Sequence, residues 1–231
     1  MRAVVTGANR GIGLELVRQL LARGDTVEAC VRDPDSAEDL HALTSPQLAI
    51  HRVDVTDPAS VTALATALGE GSIDVLLNVG GVYGGPAQSL AQMAEDLALF
   101  DVFSTYDVNA TGPLRMSLAL LPHLRRGTGK RIAHITSGMG SIADNTSGGY
   151  YAYRMSKAAL NMMSKSLAVD LRDEGILSFV INPGWVQTRM GGGNAPTPVS
   201  DSAAGILARV DHATPDDSGE FLEWKGGRLA W

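Results

Sequence analysis

Apolar positions along the 231-residue chain follow two alternating rhythms. Short β-branched or continuous apolar runs read as strands, and stretches with apolar residues every three to four positions read as amphipathic helices. A strand from residue 2 meets Gly7, Gly11 and Gly13, and a helix follows with Leu14, Val17, Leu20 and Leu21 on one face. After Gly24-Asp25, residues 26–31 form a second strand, and Asp33-Pro34-Asp35-Ser36 caps a helix running to about residue 43. Residues 47–53 are a third strand ending at Asp54. Asp57-Pro58 starts a helix that stops near Gly69, with an N-cap acid and proline at the first helical position. Residues 73–79 are nearly all apolar, as in a strand covered on both faces.

The second half continues the alternation. Residues 88–108 read as one or two helices. Asn109-Ala-Thr-Gly-Pro113 interrupts or flanks another, which continues over 114–124 with Leu114, Leu118 and Leu121 on one side. Residues 131–137 form a fifth strand, 138–149 a small-residue loop, and 153–174 a long helix stopped by Gly175. A sixth strand over 177–181 ends in Asn182-Pro183-Gly184. Residues 185–200, rich in Gly, Pro and Thr, suit a mobile loop over a site. A helix over 200–210 and a strand over 221–224 complete the chain. With no internal repeat and no linker, residues 1–231 are expected to form a single α/β domain, a Rossmann-type doubly wound parallel sheet in three α/β/α layers.

Composition narrows the function. The 45% apolar content supports a full core. A net charge of −6 without a dense Lys/Arg cluster argues against nucleic acid. No apolar run is long enough to span a membrane, and a strand beginning at residue 2 leaves no room for a leader. The single cysteine, Cys30, fits a reducing, cytoplasmic setting and reads as a core residue. His41, His51, His123, His134 and His212 are scattered without metal-ligand spacing, so no metal is expected.

Two stretches carry candidate chemistry. A strand, a glycine turn and a helix N-terminus together present backbone N–H groups and partial positive charge to a phosphate, although a glycine-rich stretch after a strand is also an ordinary turn. The spacing Gly7-x3-Gly11-x-Gly13 differs from G-x-G-x-x-G. Tyr153 and Lys157, four residues apart, share a helix face. An ammonium near a phenol favours phenolate and lowers a pKa otherwise near ~10, giving a group that exchanges protons at neutral pH. Ser137, at the carboxyl end of a strand, is placed to bond a substrate oxygen. Alone, Tyr-x-x-x-Lys is most often a surface pair; its occurrence in order after the glycine turn, Asn109 and Ser137 is what makes it informative.

That ordered set, Thr6-Gly-Ala-Asn9-Arg10-Gly11-Ile12-Gly13, Asp54, Asn78-Val79-Gly80-Gly81, Asn109, Ser137, Tyr153-x-x-x-Lys157 and Asn182-Pro183-Gly184, resembles the short-chain dehydrogenase/reductase family over almost the whole chain. The resemblance implies hydride transfer between a nicotinamide and a carbonyl/secondary alcohol pair. Tyr153 is then the acid/base, Ser137 orients the carbonyl, and Lys157 lowers the tyrosine pKa and binds the nicotinamide ribose. Asn109 is implied to hold a water of the proton relay. The implied cofactor residues are Gly7, Asn9, Arg10, Gly11, Ile12, Gly13, Arg32, Asp54, Val55, Asn78, Gly80, Tyr153, Lys157, Pro183, Gly184, Val186 and Thr188. Asp54 either binds the adenine amino group or caps the next helix.

Family members commonly read Asn-Asn-Ala-Gly where this chain has Asn78-Val79-Gly80-Gly81, which predicts altered cofactor affinity with chemistry retained. The acid that suits NAD usually stands where this chain has Val31. Arg32 follows it and Arg10 lies in the turn, so NADP is favoured over NAD, with Asp33 as a counter-signal. The resemblance is strongest to carbonyl-reductase and C-factor-like (sniffer-like) members. Trp185, Trp224, Trp231, Tyr151 and Met190 either line an apolar substrate pocket or are plain core. A small-molecule carbonyl or alcohol substrate and a homodimer or homotetramer follow from the resemblance. The alternative is a nucleotide-binding signalling or regulatory protein of the same fold with little turnover.

Overall fold

A computed structural model of the chain describes residues 1–85, 89–95 and 99–231. Seven strands form one parallel sheet: β1 (Arg2–Thr6), β2 (Thr26–Val31), β3 (Leu48–Arg52), β4 (Val75–Asn78), β5 (Arg131–Ile135), β6 (Leu177–Asn182) and β7 (Phe221–Glu223). Their spatial order is β3-β2-β1-β4-β5-β6-β7. The order reverses between β1 and β4, so the carboxyl ends of these two strands, Thr6 and Asn78, border the crevice where ligands of open parallel sheets bind. Val5 pairs with Ala29 on one side and Leu77 on the other.

Successive strand residues feed opposite layers. Val5, Ala29, Leu77, Ala133 and Ile181 face one core with Leu14, Val17 and Leu20 of α1 (Gly11–Ala22) and Ile206, Leu207 and Val210 near the carboxyl end of the chain. Val4, Cys30, Leu76 and Ile132 face the other. The second core is completed by Val61, Leu64 and Leu68, by Met116, Leu120 and Leu124, and by Leu167. This two-period code, two for strands and 3.6 for helices, makes the three layers.

The remaining helices are α2 (Glu38–His41), α3 (Pro58–Leu68), α4 (Leu90–Glu95), α5 (Phe100–Tyr106), α6 (Gly112–Arg126), α7 (Tyr151–Asp170) and α8 (Val199–Asp211). Asp57 caps α3 by accepting from Ala59 N. Two expectations change, and a third is narrowed. The helix expected to reach residue 43 is a 3₁₀ turn at Pro34–Ser36 and then the single turn of α2. Over residues 88–108 there are two helices, and residues 88 and 96–98 of that span lie outside the described residues. On α6 the core is reached by Met116, Leu120 and Leu124, whereas Leu118 is 56% exposed and Leu114 and Leu121 are half-buried. Leu114 and Leu121 pack against the edge of the same core, so the spacing marks one flank of the buried face rather than its centre.

Between α5 and α6 the chain makes a π turn, Asp107–Thr111, so the helical path is continuous through Asn109. Proline at 113 has no N–H to offer the Asn109 carbonyl four residues back, which breaks the α ladder at this point.

Candidate active site

The glycine turn closes the crevice between β1 and β4. Thr6 Oγ1 accepts from Val79 N at 2.9 Å and Gly80 N at 3.2 Å, so the two strand ends are tied by a buried hydroxyl. Gly7 has φ +64°, and a Cβ there would stand 2.7 Å from Gly80 Cα. A Cβ at Gly13 would overlap the Gly7 carbonyl oxygen. Side chains are therefore excluded on both sides of the turn. Helix α1 starts at Gly11 without a side-chain cap and without an acid in its first turn, so its free N–H groups and dipole suit an anion. A dinucleotide pyrophosphate fits this cradle.

Arg10 and Arg32 are both exposed and form no ion pair among the described residues, and burial together with the neighbouring Arg189 and Arg32 pushes the Arg10 pKa down. Arg189 is a third cation in this field that the sequence reading did not single out. Asp33, the counter-signal for NAD, lies 3.7 Å from Arg52, whose second contact is Asp35 at 2.9 Å. Asp54 does not cap α3. Its Oδ1 accepts from Thr56 N and Thr56 Oγ1, bonds that hold its carboxyl below the usual range. Val55 is pinned by α6, its carbonyl accepting from Arg115 Nη1 at 3.1 Å. Asn9 and Ile12 lie half-buried around the turn. Across it, Thr188 Cγ2 would meet a Cβ at Gly11 at 3.3 Å. The 185–200 segment holds itself: Gln187 N donates to Thr197 O, Thr197 N to Trp185 O, and Val186 bridges Thr197. Gly184 (φ +80°) follows the buried Pro183 and packs against the Trp224 indole.

The second cluster joins β5, α7 and the π turn. Ser137 caps a 3₁₀ turn, accepting from Met139 N at 3.1 Å, and its side chain also hydrogen-bonds Tyr153. Lys157 Nζ donates to the Ile135 carbonyl at 2.8 Å and lies 5.7 Å from the centre of the Tyr153 ring. Tyr153 is 7% exposed and Lys157 4%. The proton affinities run against the expected direction. Burial pushes the Tyr153 phenol up to about 12, opposed by the Ser137 bond and reinforced by Tyr83. Burial also lowers Lys157 to about 8. Desolvation disfavours both charged forms and here outweighs the attraction between them. At neutral pH the pair is a phenol beside an ammonium, the form that donates a proton.

Asn109 is fully buried, and its side chain is spent on protein. Oδ1 accepts from Val82 N at 2.8 Å, while Nδ2 donates to Val82 O at 2.8 Å and Ser156 Oγ at 3.0 Å. Both amide hydrogens are thus engaged, and Pro113 has no N–H to give the Asn109 main-chain carbonyl an α-helical bond. Asn78 Nδ2 bonds His134 Nδ1 at 3.1 Å inside the sheet, where burial lowers His134 to about 3 and keeps it neutral. The sequence reading missed Thr6 as a tie, Ser156 and Tyr83. Tyr83 was invisible because it has no fixed spacing to the residue whose ring it touches. Of the candidate pocket residues, Trp185, Met190 and Tyr151 are exposed. Trp224 instead packs on the core and Trp231 stacks on Phe221. Among the described residues, no three His, Cys, Asp or Glu side chains gather as a metal site.

A parallel sheet reversing at β1/β4, with a phosphate-fitting glycine turn and a Ser–Tyr–Lys cluster at the strand ends, defines a nicotinamide-dependent oxidoreductase. Residues 1–198 match the short chain dehydrogenase family, and the chain belongs to it. It is 47% identical to C-signal of Myxococcus xanthus over 169 residues, 73% of this chain and 99% of that protein. The NADPH-bound carbonyl reductase from chicken fatty liver superposes with TM-score 0.91 at 36% identity, covering 100% of this chain and 98% of that one. The carbonyl reductase Sniffer of D. melanogaster gives 0.92 at 30%, covering 100% and 99%. The cofactor of this family is NAD(P), and relatives have been crystallised with NADP. No helix among the described residues is long and apolar enough to cross a membrane.

Proposed function

We propose that the protein is an NADP-dependent carbonyl reductase in which Tyr153 protonates the nascent alkoxide. The observation that carries this reading is the cluster of half-buried Ser137 with buried Tyr153 and Lys157 at the strand ends beside the glycine turn. A bound nicotinamide supplies the hydride. The chain's residues do the rest. Ser137 Oγ holds the substrate oxygen next to the Tyr153 hydroxyl, which gives up its proton as charge develops. Lys157, held by the Ile135 carbonyl, places positive charge beside the phenolate that this step creates. With the Asn109 side chain occupied, its main-chain carbonyl, denied an α-helical bond by Pro113, is the group offered to hold a relay water.

Gly7, Asn9, Arg10, Gly11, Ile12 and Gly13 hold the phosphates. Asp54, Val55, Asn78 and Gly80 border the adenosine side and the sheet, and Pro183, Gly184, Val186 and Thr188 border the nicotinamide side. Arg10 and Arg32, with Asp33 turned toward Arg52, support NADP over NAD. Residues 185–200 shape the substrate side, and the substrate is a small carbonyl compound or alcohol. Burial of the lone Cys30 as a free thiol, raised by desolvation, agrees with a reducing cytoplasm. We also infer a homo-oligomer. Met155, Met162 and Val169, seven residues apart and hence on one face of α7, are exposed, as are Phe103 and Leu118 on α5 and α6.

Oxidation of NADPH with a panel of ketones, aldehydes and quinones tests the reading. Turnover is expected with the native protein and is lost in Tyr153→Phe; turnover that survives this change sinks the mechanism. The kinship with C-signal supports a second reading, a nucleotide-binding signalling protein. Tight NADPH binding without turnover on any substrate would favour it.

A further inference from the structure

Beside Tyr153 lies an aromatic residue to which no role has yet been given. The Tyr83 ring centre is 4.7 Å from that of Tyr153, tilted by 42°, and 5.5 Å from that of Tyr150, edge-on at 62°. The Tyr83 hydroxyl reaches Met139 Sδ at 3.9 Å and also bonds the Tyr150 side chain. The segment that carries Tyr83 is fixed on both sides. Before it, the Val82 N–H and carbonyl are gripped by the Asn109 amide at 2.8 Å each. After it, Gly84 has φ +90°, and a Cβ there would stand 3.1 Å from Thr105 Oγ1 and 3.2 Å from Ala152 Cβ. Tyr150, at the entry to α7, has φ +53° and ψ +40°, a left-handed conformation that bulky residues rarely adopt. Strain of this kind persists only where the surroundings hold it, and the contact it secures is with Tyr83.

Resting on the assignment of Tyr153 as the proton donor, we propose that Tyr83 is a positioning residue. Its ring, gripped through Val82 by Asn109 and buttressed by the strained Tyr150, fixes the Tyr153 phenol in its reactive orientation and shields it from water. The Asn109 side chain then acts through a loop, which explains why its amide is fully occupied by Val82 and Ser156. The groups facing Tyr153 are Ser137, Tyr83 and Lys157, and those facing Tyr83 are Tyr150 and Arg154. Since burial and Tyr83 both hold Tyr153 protonated, opening this side lets water stabilise the phenolate.

The test compares Tyr83→Ala with Tyr83→Phe, which keeps the ring. Tyr83→Ala is expected to lower kcat about tenfold or more with NADPH affinity, read by cofactor fluorescence, within twofold. The alkaline limb of its rate profile moves to lower pH, because reduction needs the protonated phenol. Tyr83→Phe restores most of the rate. Tyr150→Gly, which removes the strain, is expected to keep or raise the Tm while lowering kcat, a separation no general loss of stability produces. A Tyr83→Ala enzyme with native kcat and pH profile, or a Tyr83→Phe enzyme as impaired as Tyr83→Ala, overturns the proposal. Should no substrate be turned over, the phenol of Tyr153 is titrated by ultraviolet difference against Tyr153→Phe in both the native and Tyr83→Ala backgrounds. An unchanged midpoint then overturns the role of Tyr83 independently of the catalytic reading.

Discussion

The end of the site around the glycine turn and the end around Tyr153 are built from different material. At the first, the parts that matter are backbone: the N–H groups of α1, the left-handed Gly7, the missing side chain at Gly13 and the Thr6 tie. At the second they are buried and half-buried side chains drawn from the end of β5, the π turn, the loop after β4 and α7, and each is conditioned by the others. A backbone site tolerates no added atoms but little depends on proton affinity. A side-chain site keeps its shape under substitution and loses its chemistry. The two ends should therefore fail differently when damaged.

The largest contrast is expected at Tyr153. Tyr153→Phe removes the proton donor and leaves the packing, so kcat/KM falls on the order of 10²–10⁴-fold while the Tm holds. Gly13→Ala should do the reverse. Its new methyl overlaps the Gly7 carbonyl oxygen, and overpacking costs about 1–3 kcal/mol, seen as a Tm lowered by roughly 2–4 °C per kcal/mol in a chain of this size. If instead Gly13→Ala folds natively and only turnover drops, the division between the two ends is wrong.

Arg32→Ala should raise the Kd of NADPH roughly 10- to 150-fold, as expected when a charge-assisted hydrogen bond worth about 1.5–3 kcal/mol is lost. NADH binding should barely change, and equal weakening of both would remove Arg32 from 2′-phosphate recognition. Lys157 gives a smaller, pH-dependent signal. Its pKa in the folded protein, about 8, lies below the ordinary 10.5, so between these values the unfolded chain binds more protons and this group makes stability rise with pH. The Tm difference between Lys157→Met and the native protein should therefore fall as pH is raised through that window; a constant difference would mean that Lys157 is not desolvated. The smallest effect is expected from Gly80→Ala. A Cβ there meets Gly7 N at 3.5 Å and Thr6 Oγ1 at 3.6 Å, ordinary contacts. Stability should change by no more than about 0.5 kcal/mol, so Gly80 is a permitted departure from Asn-Asn-Ala-Gly.

The same division governs what the amino-acid order reveals. The glycine turn has a fixed spacing because consecutive backbone units build it, and the Asp57-Pro58 start of α3 is local in the same way. Tyr153 and Lys157 were readable as a pair, being one helical turn apart. The sign of their pKa shifts was not, since it comes from burial under Tyr83 and β5. The Asn109 side chain, a gripper of Val82, could not be told from a water holder without the loop beside it. The Leu114–Leu118–Leu121 stripe was legible only in part: Leu114 and Leu121 pack, half-buried, against the core that Met116, Leu120 and Leu124 fill, and Leu118 turns outward. Proline at 113 was a signal in plain view, a missing donor four residues after Asn109.

The π turn also constrains how this protein can vary. One residue of α-helix turns the chain by about 100°. A π turn holds one residue more than an α turn, so Asp107–Thr111 takes up an extra residue without rotating α6, and Met116, Leu120 and Leu124 keep their places in the core. Deleting a single residue here would close the wide turn and leave α6 on the same face, while Asn109 lost its alignment with Val82. A one-residue gap in an alignment at this point would mark a protein that keeps this core and gives up the grip on the loop after β4.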